Sequence, residues 1–181
     1  YLFSATIRRD GSSNFGENNR YGVFPSASFG WVASKEDFLQ GSDKISFLKV
    51  RASWGVNGSD RISPLSYVAR IQNVFTYPFG TETQTLNTGT ALAAPPNPNV
   101  RWEESVQLDL GVELGLFDDK VSFEADVYRK RTKDLLMTQQ IPGYVGATNN
   151  PTSNLGEILN EGVEFSLGYR MGQGDLKLNT T

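Results

Sequence analysis

Carboxylates and cations fall on alternate positions of three separate stretches of the chain. The four carboxylates are Asp109, Glu113, Glu124 and Asp126. A carboxyl pair across a cleft could carry out glycoside hydrolysis, which requires one raised pKa and a defined separation. Lys49 and Arg51 show the same alternation in another stretch, so the carboxylates have cations to pair with. We interpret the six residues as a charge network on a water-exposed face rather than as a catalytic pair.

The absence of two residue types further limits the kinds of catalytic and metal site that we expect in this chain. The 181 residues contain no histidine and no cysteine, which argues against a Ser–His triad, a zinc centre and disulfides. Asp10, Ser12 and Asn14 have the spacing that begins a calcium loop, but the distal glutamate of that motif is missing. The net charge of −3 gives no reason to expect nucleic-acid binding. We therefore expect neither an enzyme nor a metal or cofactor site.

The carboxylates lie on a predicted β-hairpin that runs from residue 101 to residue 137. Apolar side chains occupy every second position of its two arms, at Val106, Leu108, Leu110, Val112, Leu114 and Leu116, and at Val121, Phe123, Ala125 and Val127. A period of two places these side chains on one face and the polar ones on the other. A short turn at Asp118-Asp119 would set Leu116 opposite Val121 and Glu113 opposite Glu124.

The two faces of this hairpin allow two interpretations. Unpaired carboxylates are costly to bury, so the polar face should be in contact with water. The apolar face carries no charge over about ten residues, which is the length of a tilted transmembrane strand. A membrane barrel, with its apolar face to lipid and its polar face to the lumen, fits this pattern. A soluble antiparallel sheet packed on a core fits it as well.

The remaining chain favours the barrel. Alternation predicts further strands at 1–9, 21–34, 48–57, 158–171 and around 176–178, and long irregular loops at 58–99 and 138–156. The predicted connections run long, shorter, long, short, long, short. Outer-membrane barrels have long outer loops and short periplasmic turns, whereas a soluble sandwich has no reason for this order. We predict an all-β antiparallel transmembrane barrel segment.

Both ends of the chain fall inside predicted strands. The chain starts at Tyr1, without a methionine, and stops at Thr181. Natural domains seldom leave unpaired sheet edges at both termini. We therefore expect residues 1–181 to be a piece of the barrel domain of a longer polypeptide.

An ordered set of short motifs resembles the SusC/RagA-like family of TonB-dependent outer-membrane transporters of Gram-negative bacteria. The motifs cover most of the chain outside 58–96 and are Arg8-Arg9-Asp10-Gly11-Ser12-Ser13 with Phe15-Gly16, Asn19-Arg20-Tyr21-Gly22-Val23-Phe24-Pro25-Ser26 leading to Gly30-Trp31, Leu48-Lys49-Val50-Arg51-Ala52-Ser53-Trp54-Gly55, Asn97-Pro98-Asn99 to Trp102-Glu103, Asp126-Val127-Tyr128-Arg129-Lys130 to Asp134-Leu135-Leu136, Ile141-Pro142-Gly143, Asn154-Leu155-Gly156 and Gly162-Val163-Glu164. Each motif is weak alone, and their common order is specific.

The resemblance implies part of a large plugged barrel of the 22-stranded class. It also implies import of oligosaccharides or peptides with a SusD-like surface lipoprotein as a lid, driven through TonB. The plug and the TonB-contacting segments are not recognisable in residues 1–181. The alternative from the residues alone is a soluble β-sandwich that acts as an adhesin or a carbohydrate-binding module.

Three groups of residues become candidate sites on the barrel interpretation. The charge network of Lys49, Arg51, Asp109, Glu113, Glu124 and Asp126 would line the lumen. Cations before two long loops would lie at the outer rim and could hold lipopolysaccharide phosphates, namely Arg8, Arg9, Arg129, Lys130 and Arg131. Aromatic side chains in the longest loop could contact substrate or the lid, namely Tyr67, Tyr77 and Phe79. A solvated rim and packing within the loop are the corresponding structural alternatives.

Overall fold

The computed structural model describes residues 1–42, 44–80, 85–173 and 176–180. Side chains are described up to residue 170. Within these residues seven strands form one antiparallel sheet in the order β1 (Leu2–Gly11), β2 (Tyr21–Val32), β3 (Ile45–Ser59), β6 (Glu103–Leu116), β7 (Val121–Lys133), β10 (Glu157–Gln173) and β11 (Leu176–Thr180). Each strand pairs with the next strand of the sheet along the chain, so the sheet is an open meander.

The register of the central hairpin agrees with the sequence pattern. Leu116 pairs with Val121, Leu114 with Phe123, and Glu113 with Glu124. The connection comprises residues 117–120, of which Phe117, Asp118 and Asp119 have positive φ angles of 54°, 58° and 59°. Asp tolerates this left-handed conformation better than most residues because its short polar side chain bonds locally. The predicted pairing is confirmed.

The two segments predicted as irregular loops contain short hairpins. The first holds β4 (Arg70–Phe79) and β5 (Thr85–Ala94). At the second, β8 (Leu136–Thr138) begins at the end of the predicted hairpin and pairs with β9 (Thr152–Asn154) inside the predicted loop. The first segment contains several prolines, including Pro78 within β4, but its Thr, aromatic and β-branched residues favour strands. The prediction of continuous irregular structure at 58–99 was therefore wrong.

Three connections lie at one end of the sheet, and we call this end the rim. It comprises 12–20, 60–102 and 134–156. At the opposite end lie 33–44 and the short turn 117–120. The connection 33–44 is longer than the connection 12–20, so the predicted order of long and short connections fails for this first pair. The order holds for the next pair, 60–102 and 117–120. A turn of 3₁₀ helix at Ala33–Lys35 and the turns that follow lengthen this connection.

The apolar face of the sheet is exposed and continuous. Cross-strand pairing aligns Ala52, Leu110, Val127 and Val163 in one row, with Val112, Ala125 and Phe165 in the next. Leu110 is 52% exposed and Phe165 is 71% exposed, while Leu114 and Phe123 are half-buried against each other. In the described residues no second sheet covers this face, as a sandwich would require. Such an extended apolar surface is expected where lipid replaces water.

Full burial of apolar side chains is concentrated near the rim. Phe15 and Val100 are completely buried, and Phe24 is 3% exposed. The Trp102 ring lies between Phe15 and Phe24, at centroid distances of 5.2 and 5.3 Å. The sheet therefore has a small aromatic core at one end. In the described part of the chain, no helix is long and apolar enough to span a membrane.

Candidate functional site

The polar face brings the predicted charged residues into adjacent rows. Strand pairing sets Lys49 beside Glu113 and Glu124, Arg51 beside Gly111 and Asp126, and Ser53 beside Asp109. Lys49 Nζ lies 3.0 Å from Glu113 Oε1. Arg51 lies 3.3 Å from Glu113 and 2.7 Å from Asp126. The cations of β3 therefore pair with one carboxylate on β6 and one on β7.

Gly111 lets the Arg51–Asp126 ion pair cross a whole strand. Arg51 is on β3 and Asp126 on β7, and β6 lies between them. A Cβ atom at Gly111 would overlap Asp126 Oδ1 and stand 2.5 Å from Arg51 Nε. The side chains of Arg51 and Asp126 thus occupy the space that a side chain at position 111 would take. This role of Gly111 was not predicted, since spacing alone does not show which side chains fill a gap.

Asp109 is bound by neutral groups. Ser53 Oγ donates a hydrogen bond of 3.1 Å to Asp109 Oδ2, and Gln107 Nε2 donates one of 2.9 Å to Oδ1. Ser53 and Gln107 were not predicted as site residues, although their positions in the alternation already place them on the polar face. Glu124 forms no ion pair with any other residue described here. The lumen role of the network stays a prediction, because it depends on what faces this side of the sheet.

A concavity of about 540 Å³ opens beside the charged rows. Its polar lining includes Ser4, Ser28, Lys49, Arg51, Asp109 and Asp126. Small hydroxyl-bearing residues of β1 and β2 lie next to longer charged side chains of β3, β6 and β7. This arrangement offers donors and acceptors to a hydrated polar molecule or to another polar protein surface.

The five predicted rim cations separate onto two faces. Arg8 and Lys130 lie on the polar face, and Arg9, Arg129 and Arg131 lie on the face that carries the apolar band. Arg129 bonds Glu161 at 2.9 Å, and Arg131 bonds both carboxylate oxygens of Glu157 at 2.9 and 3.0 Å.

The two arginines of β1 have different neighbours. Arg8 lies 2.6 Å from Asp10 and over the Phe24 ring. Arg9 stacks on the Tyr21 ring at 4.4 Å and, within the described residues, forms no ion pair. Lipopolysaccharide contact by the five cations stays a prediction. Among the three cations on the face with the apolar band, Arg9 is the one without a carboxylate partner in the described residues.

The three predicted loop aromatics have different environments. Tyr67 packs near Gly16 of another rim segment. Tyr77 lies against Gly89 across the β4–β5 hairpin, and Phe79 is 71% exposed near its tip. Tyr77 and Phe79 therefore remain accessible to a partner, whereas Tyr67 contributes to packing of the rim.

A polar cluster at the rim was missed by the sequence analysis. The Arg101 guanidinium donates hydrogen bonds of 3.1 and 2.7 Å to the two oxygens of Asp134. These hydrogen bonds, with the charge of Asp134, raise the pKa of Arg101. Asn154 accepts from Arg101 N and donates to the carbonyls of Arg101 and Asp134. The periodicity of strands gives no signal for such contacts between loops.

Comparison with known proteins connects this architecture to a family. Residues 1–181 match the family described as TonB dependent receptor-like, beta-barrel. TonB-dependent receptor P3 of Formosa agariphila is 41% identical over 170 residues, covering 94% of this chain and 16% of the relative. TonB-dependent receptor SusC of Bacteroides thetaiotaomicron is 35% identical over 177 residues, covering 94% and 17%. The chain thus spans about a sixth of these relatives.

Solved structures give the same result. The RagAB peptide transporter matches with a TM-score of 0.77 and 28% identity, covering 95% of this chain and 18% of that chain. The RagAB peptide importer matches with a TM-score of 0.78 in both its "closed-closed" and its "open-open" states, at 28% and 27% identity, covering 96% and 18% each time. These findings confirm the resemblance and the antiparallel barrel architecture. The chain belongs to the TonB-dependent receptor-like β-barrel family, the family of outer-membrane transporters that includes SusC.

Proposed function

We propose that residues 1–181 form a run of neighbouring strands in the barrel wall of a TonB-dependent outer-membrane importer. The observation that carries this proposal is the division of one sheet into an exposed apolar face and a charged polar face. On this proposal the apolar face contacts lipid, and the polar face with Lys49 and Arg51 lines the lumen. The plug and the segment that contacts TonB would lie in other parts of the full-length protein.

The proposed chemistry is binding and conformational gating, without catalysis. Three carboxylates of the polar face, Asp109, Glu113 and Asp126, are held in ion pairs or hydrogen bonds with neighbouring side chains. Such a wall suits passage of a hydrated, polar substrate along the lumen. We infer that the substrate is an oligosaccharide or a peptide, as the resemblance to the SusC/RagA-like family implies, and the similar RagAB peptide transporter supports the peptide class.

We propose that the rim contacts a SusD-like surface lipoprotein that acts as a lid. Tyr77 and Phe79 on the β4–β5 hairpin present exposed aromatic surface at this end of the sheet. Aromatic rings stack on sugars and also anchor protein interfaces. Arg9 would contact lipopolysaccharide phosphate at the membrane boundary.

Uptake by cells tests the proposal directly. Cells lacking the full-length protein should lose uptake of one oligosaccharide or peptide class, and the protein supplied in trans should restore it. Inactivation of TonB should abolish uptake with the barrel still assembled. Uptake that persists without TonB would contradict the proposal. Affinity purification from solubilised outer membranes should recover a surface lipoprotein, and a double Tyr77→Ser, Phe79→Ser variant should recover less of it.

A further inference from the structure

The segment 97–103 has contacts on two sides, and its alternate residues face different neighbours. It leads from the β4–β5 hairpin into β6 and includes Pro98, whose ring restricts the backbone. Val100 in its centre is completely buried. We call this segment the strap.

One set of strap residues binds the rim segment 134–156. Asn97 Nδ2 donates to Thr152 O at 2.9 Å. Arg101 bonds Asp134 through its side chain and Asn154 through its backbone. Glu103 Oε2 accepts from Leu136 N at 3.0 Å. The strap begins with a turn at 98–99, in which Val100 N donates to Asn97 O at 3.3 Å.

The intervening residues contact the rim segment 12–20. Trp102 stacks beside the completely buried Phe15, and its Nε1 donates to Arg20 O at 3.3 Å. The Pro98 carbonyl oxygen lies 3.4 Å from the position that a Cβ on Gly16 would occupy. Within the described residues no hydrogen bond joins 12–20 directly to 134–156. The strap therefore contacts both segments.

We propose that the strap couples the rim segments 12–20 and 134–156, so that the two segments and the strap move as one body. Loss of contacts on either side of the strap then loosens both segments. A partner or substrate that displaces one segment will, through the strap, displace the other.

Hydrogen–deuterium exchange of the full-length protein in detergent micelles tests this coupling segment by segment. Trp102→Ala removes the contacts to 12–20, and Asn154→Ala removes contacts to 134–156. We expect each variant to raise exchange in both segments by about fivefold or more, the effect of losing ~1 kcal/mol. Trp102→Phe, which keeps an aromatic ring but loses the hydrogen bond to Arg20, should give a smaller increase in both.

Controls separate coupling from general destabilisation. Leu86→Ser, at an exposed position of the same long connection, should leave exchange in both segments unchanged. The strands β6 and β7 should keep their protection in every variant. The proposal is rejected when Trp102→Ala, or Trp102→Phe where the alanine variant does not assemble, changes only 12–20 and Asn154→Ala changes only 134–156.

Discussion

At the scale of single residues, glycines leave space in which large side chains of neighbouring strands pack across the sheet. Gly111 leaves the space in which Arg51 reaches Asp126, and Gly162 lies under the edge of the Tyr128 ring. An aromatic ring over a cross-strand glycine covers backbone that would otherwise be bare. The charge network thus depends on a residue without a side chain as much as on its ions.

Gly111→Ala should weaken the network. Its Cβ would displace Asp126 or Arg51, and we expect the free energy of unfolding to fall by roughly 1–2 kcal/mol. Denaturant unfolding of the full-length protein in detergent measures this change. Gly30→Ala is the matched control, since a Cβ there would meet its neighbours at 3.6 Å or more. Equal stability of the two variants would show that the gap at Gly111 has no special role.

Arg9 and Arg131 allow a paired test of lipopolysaccharide contact. The Arg131 guanidinium is already bonded to Glu157, whereas Arg9 stacks on Tyr21. We expect Arg9→Gln to reduce the lipopolysaccharide that copurifies with the full-length protein and Arg131→Gln to have little effect. Mass spectrometry of the bound lipid gives the readout. Unchanged lipid in Arg9→Gln would remove this residue from the proposed contact.

At the scale of strands, two neighbouring positions on β10 should differ in how well they tolerate a substitution to lysine. Phe165 lies on the apolar face and Ser166 on the polar face, where Ser166 pairs with Glu124. A lysine on a lipid-facing strand costs about 2–4 kcal/mol at the middle of the bilayer.

Phe165→Lys should therefore reduce the stability of the folded barrel in lipid by about this amount. Ser166→Lys introduces the same side chain one position later, beside a carboxylate, and should be tolerated. Unfolding of the full-length protein in liposomes compares the two variants. A larger loss for Ser166→Lys would reverse the assignment of the two faces.

At the scale of the whole molecule, the position of the loops predicts the orientation of the sheet in the membrane. The rim holds the long connections 60–102 and 134–156, and the turn 117–120 lies at the other end. In outer-membrane barrels long loops face outward and short turns face the periplasm.

Because residues 1–181 contain no cysteine, single cysteines can report this orientation. Tyr144 is 90% exposed at the rim, and Lys120 ends the opposite turn. We expect an impermeant maleimide to label Tyr144→Cys in intact cells and Lys120→Cys only after the outer membrane is permeabilised. Cells with the unsubstituted protein give the background. The reverse labelling pattern would invert the proposed orientation.

The sequence by itself determined the faces and the register of the central strands. A period of two assigns every residue of 106–116 and 121–127 to a face, and the short turn between them leaves one pairing that keeps both apolar sets together. It also identified the charged residues that meet on the polar face. Lys49 and Arg51 occupy alternate, polar positions of their strand, as the carboxylates do in the central hairpin.

Only the tertiary structure decided which partners bind and how the rim is built. Arg51 selects Asp126 across an intervening strand, and Trp102 lies against Phe15, far away along the chain. The β4–β5 hairpin and the strap have no long periodic pattern to indicate them. Their structure depends on contacts between distant segments, and such contacts exist only after the strands have brought the loops to the same end of the sheet.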